Sequence, residues 1–364
     1  MAQNLGGGTA HQTMNREGVV ELCNRRVLGR VARRFGVTRD DLVSYPSYEG
    51  CQNLVYDYEC RGRPLILRIS FRSDRPIEQI QAELHFINYL ADRGVRVAKP
   101  VPSRSGSLIE PLTAEGVAFL AVSFVKGRGM RVPDNRYRYR EGVPMEEYYQ
   151  NWGHLLGQMH ALAKDYAPPS PRVNRPEWYD LDRARGIDRR VPERLSTVRT
   201  RFKELLAQIR DLPRDRDSYG LIHGDFNDGN FTVDYDNGDI TVFDFDDACY
   251  FWFMYELACA WEGGVGRTMF SGVDDRRSFM SHYFDNVLEG YNRANSLPAG
   301  VLEQLPLFLK VVEMEEFLHY VQYIDEADEE LQGRLQYKIR CIEDQIPYLG
   351  FFDTVFSPRK PFSM

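Results

Sequence analysis

Residues 221–247 read LIHGDFNDGNFTVDYDNGDITVFDFDD and concentrate the side chains of this chain best suited to chemistry. Asp225 is a carboxylate in a polar loop, able to accept a proton from a hydroxyl. Asn230 offers a neutral amide oxygen and Asp244 a second carboxylate. A hard cation such as Mg2+ takes oxygen ligands and keeps company with phosphates. In phosphoryl transfer the protein mainly positions groups and stabilises charge, so one Asp beside a hydroxyl and an Asn plus an Asp on a metal are a sufficient core. The same residues also read as polar turn residues between strands.

The elements that must position these groups are short. Residues 219–222 suit a strand, 223–229 a loop, and 231–235 alternate as a half-buried strand does. Asp236-Asn237-Gly238-Asp239 carries the Asn-Gly hairpin signal, and residues 240–245 run back as a second strand. The hairpin predicts Asn230 and Asp244 at one end of the same strand pair, with the loop bearing His223 and Asp225 directly before them.

His223-Gly224-Asp225-x-x-x-x-Asn230, followed by Val242-Phe243-Asp244, resembles the aminoglycoside phosphotransferase and choline kinase superfamily, the small-molecule branch of the protein-kinase-like fold. The resemblance spans roughly residues 40–350. It implies Asp225 as catalytic base, Asn230 and Asp244 as Mg2+ ligands, His223 as a structural member of the loop, and ATP as phosphoryl donor. It also implies an α+β fold of two lobes, with a small antiparallel β-sheet lobe, a larger mainly helical lobe, and ATP between them. The expected division is a tail at 1–13, a nucleotide-binding lobe at 14–125, and a catalytic and substrate-binding lobe at 126–364.

Upstream, apolar spacing predicts a helix over 19–35, and residues 42–48, 54–60 and 65–70 read as strands. A glycine in the turn between the first two strands lets backbone amides approach phosphate oxygens. The resemblance lays this hairpin, with Gly50 and Asn53, over the ATP phosphates; alone, Gly50 reads more readily as an ordinary turn. The third strand normally carries a phosphate-binding Lys in kinase-like folds. The first lysine here is Lys99, so Arg68 is the candidate at that place. Arg is always charged and grips phosphate with two donors. Glu83, beside the apolar stripe of a helix over 76–90, is its natural partner; a solvated Glu and a solvent-facing Arg are the alternatives. Residues 117–125 form a continuously apolar strand, and the resemblance makes backbone groups from Ser123 to Val125 available to adenine.

Downstream, helices are predicted over 145–162, 195–209, 278–291, 301–324 and 335–348. Gly153 and Gly157 allow close packing, and His160 is expected to cap or pack at its helix end. The 130–143 run reads as a surface excursion. Glu256 stands where the family usually anchors a helix start with Asp and is read as structural. Asp246 and Asp247 either join the metal site or serve as turn residues. Glu313, Glu315 and Glu316 either grip an amine of the acceptor or form a solvated face.

Composition bounds the rest. Lys and Arg total 46 against 53 Asp and Glu, a net charge of −7, which argues against non-specific nucleic-acid binding and is compatible with a cationic partner. The six cysteines form no C-x-x-C pair, and residues 1–13 lack the charged and apolar regions of a secretory signal, so reduced thiols in a cytoplasmic protein are expected. No apolar run reaches the length of a membrane span. The acceptor is a small hydroxylated molecule of aminoglycoside, choline or homoserine type; a protein kinase or a nucleotide-binding pseudokinase of the same fold are the rival readings.

Overall fold

The computed structural model describes residues 15–45, 53–71, 75–270, 275–298, 300–325 and 328–346. They fall into two compact units, one of residues up to 77 with 99–126, the other of residues 78–98 with 127–364.

The smaller unit is an antiparallel sheet covered by helix. Its strands are β1 (Val43–Ser44), β2 (Asn53–Cys60), β3 (Arg63–Ser70), β4 (Pro100–Val101), β5 (Glu110–Ala114) and β6 (Val117–Val125), in the order β1-β2-β3-β6-β4, with β5 also paired to β6. The inward residues Leu54, Tyr56, Leu67, Ile69, Phe119 and Ala121 meet Leu22, Cys23, Val27 and Val31 of the leading helix in one core. That helix is not uniform. α1 (Arg16–Leu22) and α2 (Leu28–Arg34) are joined by a π-turn at Cys23–Val27, a local widening that spacing of apolar residues does not reveal. Of the strand expected over 42–48, Val43–Ser44 pairs with β2 and the Tyr45 amide donates to the Val55 carbonyl, while residues 46–48 and Gly50 lie outside the described residues.

The larger unit holds α3 (Ile77–Ala91), α4 (Met145–Ala163), two single turns α5 (Asp182–Arg185) and α6 (Ile187–Arg190), α7 (Ser196–Arg210), four short strands, then α8 (Phe253–Phe270), α9 (Arg276–Asn292), α10 (Leu305–Val321) and α11 (Glu329–Glu343). The grouping differs from a single cut after residue 125, because α3 packs here. Phe86 meets Tyr166 and Phe245 edge-on, at 4.9 and 5.9 Å between centroids, and the Tyr89 hydroxyl donates to the Leu162 carbonyl. Strand β7 (Tyr219–Ile222) pairs antiparallel with β10 (Cys249–Trp252), a strand that the apolar run before α8 conceals. Strands β8 (Phe231–Val233) and β9 (Ile240–Val242) form the hairpin, shorter than their apolar patterns suggest, because residues 234–239 close a wider loop through Asp234, Gly238 and Asp239. The hairpin is flanked on both edges: Val97 bridges Val242 and Met130 bridges Val233. Among the described residues no helix is long and apolar enough to cross a membrane.

Helices α4 and α9 cross at backbone contact. A Cβ on Gly153 would stand 1.9 Å from the Val287 carbonyl oxygen, one on Gly157 2.5 Å from that of Tyr291, and one on Gly290 1.9 Å from that of Gln150. None of these neighbours is a flexible side chain, so the backbones must separate to admit a methyl group. Gly153→Ala is therefore expected to cost about 1–3 kcal/mol and lower the melting temperature by several degrees. Gly29→Ala, in α2 with open space around it, is expected to raise stability by a few tenths to about 1 kcal/mol. Thermal melts of the two variants check the contrast.

Candidate active site

The β8–β9 register pairs Phe231 with Val242, and the Phe243 amide donates to the Asn230 carbonyl at 2.9 Å. Asn230 therefore sits opposite the residue before Asp244. Asp244 itself is left-handed, with φ 64° and ψ 58°. That conformation is unusual outside glycine and recurs at functional turns. A 3-10 turn, Phe245–Asp247, follows directly.

The loop from His223 to Asn230 is folded onto Asp225. The Asn230 side-chain amide donates to Asp225 Oδ2 at 2.7 Å and to its carbonyl at 2.8 Å, while that of Asn227 donates to Oδ1 at 2.8 Å. Asn227 Oδ1 in turn accepts from the Gly229 amide, an Asx turn that the polar Asn-Asp-Gly run permits. With its nitrogen donating to Asp225, Asn230 has its amide oxygen as the group suited to a cation. His223 Nδ1 accepts from the Asp225 amide and Nε2 faces the Phe243 carbonyl at 2.9 Å, so the ring is the Nε2–H tautomer tying the loop to the hairpin.

Several anchors hold this loop from outside. Glu256, in the first turn of α8 and buried, accepts from the Gly224 amide at 2.9 Å and the His223 amide at 3.4 Å, and lies 2.7 Å from His160 Nε2. Burial alone would raise its carboxyl; hydrogen bonding and the nearby His160 and His223, together with the Gly224 amide, hold it below the ordinary value. Gly224 has φ 84°, and a Cβ there would stand 2.2 Å from the Asp247 carbonyl oxygen, so the loop lies directly on the turn after Asp244. Arg183 of α5 donates to the Gly224 carbonyl and lies 3.5 Å from Glu315. Arg267 of α8 and the Tyr148 hydroxyl both bond Asp228. Desolvation pushes the Asp225 carboxyl up, opposed by His223, Asn230 and Arg183 and reinforced by Asp247.

Asp225 opens onto a cavity of about 830 Å³, walled by aromatic rings such as Trp152, Phe226 and Tyr283 and by Arg183, Glu262 and Glu316. That size accommodates a drug-sized molecule. The acidic run on α10 is divided. Glu315 accepts from Trp178 and Tyr255 beside Arg183, Glu316 pairs with Lys338 at 2.5 Å, and buried Glu313 lies at a different, smaller hollow. Glu262, from α8, makes no hydrogen bond among the described residues. Its carboxyl is pushed up first by burial and then by Glu316, with the Lys338 ammonium opposing.

In the smaller unit, Arg68 is buried on β3 with its guanidinium 5.1 Å from the Phe124 ring centroid. Asn53 opens β2 and accepts from the Ser70 hydroxyl at 2.6 Å. Ser123 and Val125 lie on β6, where the Ser123 hydroxyl is 2.6 Å from that of Tyr58 and the Val125 amide donates to the Lys99 carbonyl. Glu83 is fully buried on α3 of the larger unit.

The sequence pattern of the phosphotransferase enzyme family matches residues 49–304. The chain belongs to that family. An amicoumacin kinase of Bacillus subtilis (strain 168) is 30% identical over 331 residues, covering 90% of this chain and 94% of that protein. A solved amicoumacin kinase in complex with AMP-PNP, Ca2+ and Ami is similar at a TM-score of 0.82 and 27% identity, covering 92% of this chain and 97% of the other. A microcompartment-associated aminopropanol kinase shares the fold, with a TM-score of 0.67 at 19% identity over 88% and 98% of the two chains. The phosphotransferase thus has the kinase-like α+β fold expected of it, and it transfers a phosphoryl group from ATP to a hydroxyl of a small molecule.

Four contributors were not legible beforehand: Asn227, Arg183, Glu262 and the Arg267–Asp228 pair. Asn227 carries the one local signal, its Asx-turn context. Arg183, Glu262 and Arg267 come from elements distant in sequence, and no spacing announces them.

The Glu256 anchor has a measurable signature. Its folded carboxyl titrates below the ordinary 4.5, so its contribution is full above that pH and is lost as pH falls through the lowered folded value. Glu256→Gln is expected to cost about 1.5–3 kcal/mol at neutral pH. The deficit against the unsubstituted protein is expected to shrink progressively below pH 4.5 in denaturant titrations at a series of pH values; a deficit constant with pH contradicts the assignment.

Proposed function

We propose that this phosphotransferase moves the γ-phosphoryl group of Mg-ATP to a hydroxyl of an amine-bearing small molecule held in the cavity beside Asp225. The observation that carries the reading is the convergence on one hairpin end of Asp225, Asn230 and the left-handed Asp244, with Asp225 lining that cavity. Asp225 accepts the proton of the acceptor hydroxyl as its oxygen bonds to the γ-phosphorus, and ADP departs. Asn227 and Asn230 fix the orientation of its carboxylate.

Asn230 and Asp244 would hold the metal. Among the described residues no three His, Cys, Asp or Glu side chains gather as an ion cage, so the site fits an ion completed by phosphate oxygens and water, the preference of Mg2+. Bound there, the ion supplies neutralising charge to the phosphates. On the nucleotide side the proposal keeps Gly50 and Asn53 at the phosphates, Arg68 as the phosphate cation with Glu83 as its acidic partner, and the β6 backbone at Ser123 and Val125 for adenine. Residues 14–125 then serve the nucleotide and 126–364 the acceptor and the chemistry.

Glu262 supports a cationic acceptor. An incompletely solvated carboxylate beside a second one gains from an ammonium group. The cysteines among the described residues are free, in keeping with a reducing cytoplasm where ATP is at hand. This reading calls for no nucleic-acid or membrane partner.

The decisive experiment measures ADP release with amicoumacin, an aminoglycoside, aminopropanol and homoserine as acceptors. Asp225→Asn is expected to lower kcat by about 10²–10⁴ while Mg-ATP still binds; full turnover by that variant removes Asp225 as the base. Asp244→Ala is expected to weaken nucleotide binding in calorimetry only when Mg2+ is present. Glu262→Gln is expected to raise KM for an amine-bearing acceptor about tenfold, equivalent to about 1.4 kcal/mol; an unchanged KM rejects the cationic acceptor while leaving the phosphotransfer untouched.

A further inference from the structure

Arg175 lies outside every motif, in the stretch between α4 and α7, yet it is 4% exposed. Its guanidinium donates to three backbone carbonyls: Nε to Ala248 at 2.7 Å, one terminal nitrogen to Asp246 at 2.6 Å, the other to Gln79 at 3.1 Å. The first two belong to the turn that follows Asp244. The third belongs to α3, one helical turn before Glu83 on the same face.

The placement is built rather than incidental. The Tyr250 amide donates to the Pro176 carbonyl, and Glu177 bridges Tyr250 in parallel, so the segment around Arg175 runs as a strap along β10. Asn174 Oδ1 accepts the Arg175 amide. The strap thereby delivers the guanidinium beneath the turn at 245–248. On its other side the same turn is met by the catalytic loop, where the Asp247 carbonyl abuts Gly224. Carbonyls 246 and 248 face Arg175, and carbonyl 247 faces the loop. A buried cation is costly to desolvate. A planar fork with several donors in fixed directions can join three carbonyls at once, which the single ammonium of lysine does far less well.

We propose that Arg175 is a positioning residue that couples the metal-bearing turn to helix α3, so that ordering of Asp244 by a divalent ion with nucleotide and ordering of the Glu83 helix occur together. The inference rests on the Mg-ATP reading above. It concerns a residue that touches neither nucleotide nor metal. Such coupling is reciprocal: whatever fixes the turn fixes the helix to the same extent.

The test is hydrogen exchange of the full chain with AMP-PNP, with and without Mg2+, in the unsubstituted protein and in Arg175→Lys. In the unsubstituted protein, Mg2+ with AMP-PNP is expected to slow exchange in residues 78–91 and 244–250 together. In Arg175→Lys it is expected to slow only 244–250, and the Mg2+ concentration for half-maximal AMP-PNP binding is expected to rise about tenfold. Co-protection retained in Arg175→Lys, with a metal requirement within twofold, overturns the coupling and leaves the nucleotide reading intact. If Arg175→Lys does not fold, the unsubstituted protein still decides: protection of 244–250 without 78–91 overturns the proposal, and joint protection that needs the metal supports it. Failure of the unsubstituted protein to bind AMP-PNP at all overturns both.

Discussion

The carboxylate of Glu256 is the contact on which the arrangement of the site depends. It is buried, yet it receives the Gly224 and His223 amides and faces His160. An unpaired carboxylate in that position would be strongly unfavourable; with these donors, and in the first turn of α8 where the helix dipole favours negative charge, desolvation is offset. The chain of bonds continues. His160 Nδ1 lies 2.9 Å from the Tyr291 hydroxyl, which accepts from Asn295. The 223–230 loop is thereby tied to α4, α8 and α9 through one satisfied polar network, the kind that specifies a single arrangement. Tyr291 is also where α9 passes over Gly157, so the closeness of the two helices and the reach of His160 are one geometric fact.

A three-residue hairpin is too short to be rigid by itself. Here its two strands are bordered by Val97 and Met130, and its open end is closed by the left-handed Asp244 and the bond from Phe243 to Asn230. The left-handed residue costs on the order of 1 kcal/mol, less for Asp than for a branched side chain. It reverses the chain so that the next turn can lie against Gly224, where only hydrogen fits. The 223–230 loop and the turn after Asp244 therefore specify each other's position.

Legibility followed the range of the interaction. Strand 219–222, the Asn-Gly hairpin and the glycines of α4 were readable, because each is stated by a short pattern with its own stereochemical reason; Glu256 as a structural acid came from the family resemblance, and its bonds to the loop amides did not. The π-turn at Cys23–Val27 was not, since it preserves an apolar face while changing the winding. Strand β10 was hidden because an apolar run of aromatics reads equally as helix or strand, and its partner β7 lies before the hairpin. The acidic run on α10 shows the limit most clearly. Neighbours in sequence, Glu315 and Glu316 have different lives, one bonded to Trp178 and Tyr255 beside Arg183, the other paired with Lys338. The cavity's acid with no hydrogen bond among the described residues, Glu262, comes from another helix.

Helix α8 carries both the supports of the 223–230 loop and part of the cavity wall. Glu256 near its start holds the loop at Gly224, and Arg267 near its end holds the loop at Asp228. Between these two anchors the same helix lines the cavity with Cys259, Glu262 and Gly266. Six residues of helix span about 9 Å, so Glu256 and Glu262 keep a fixed separation whatever occupies the cavity. A substitution at 259, 262 or 266 alters the cavity wall without releasing either grip on the loop that carries Asp225. A substitution at 256 loosens the loop without touching the cavity wall, whereas Arg267 does both, bonding Asp228 and lining the cavity. The middle of this helix thus forms cavity wall while residues near its two ends brace the loop that carries Asp225.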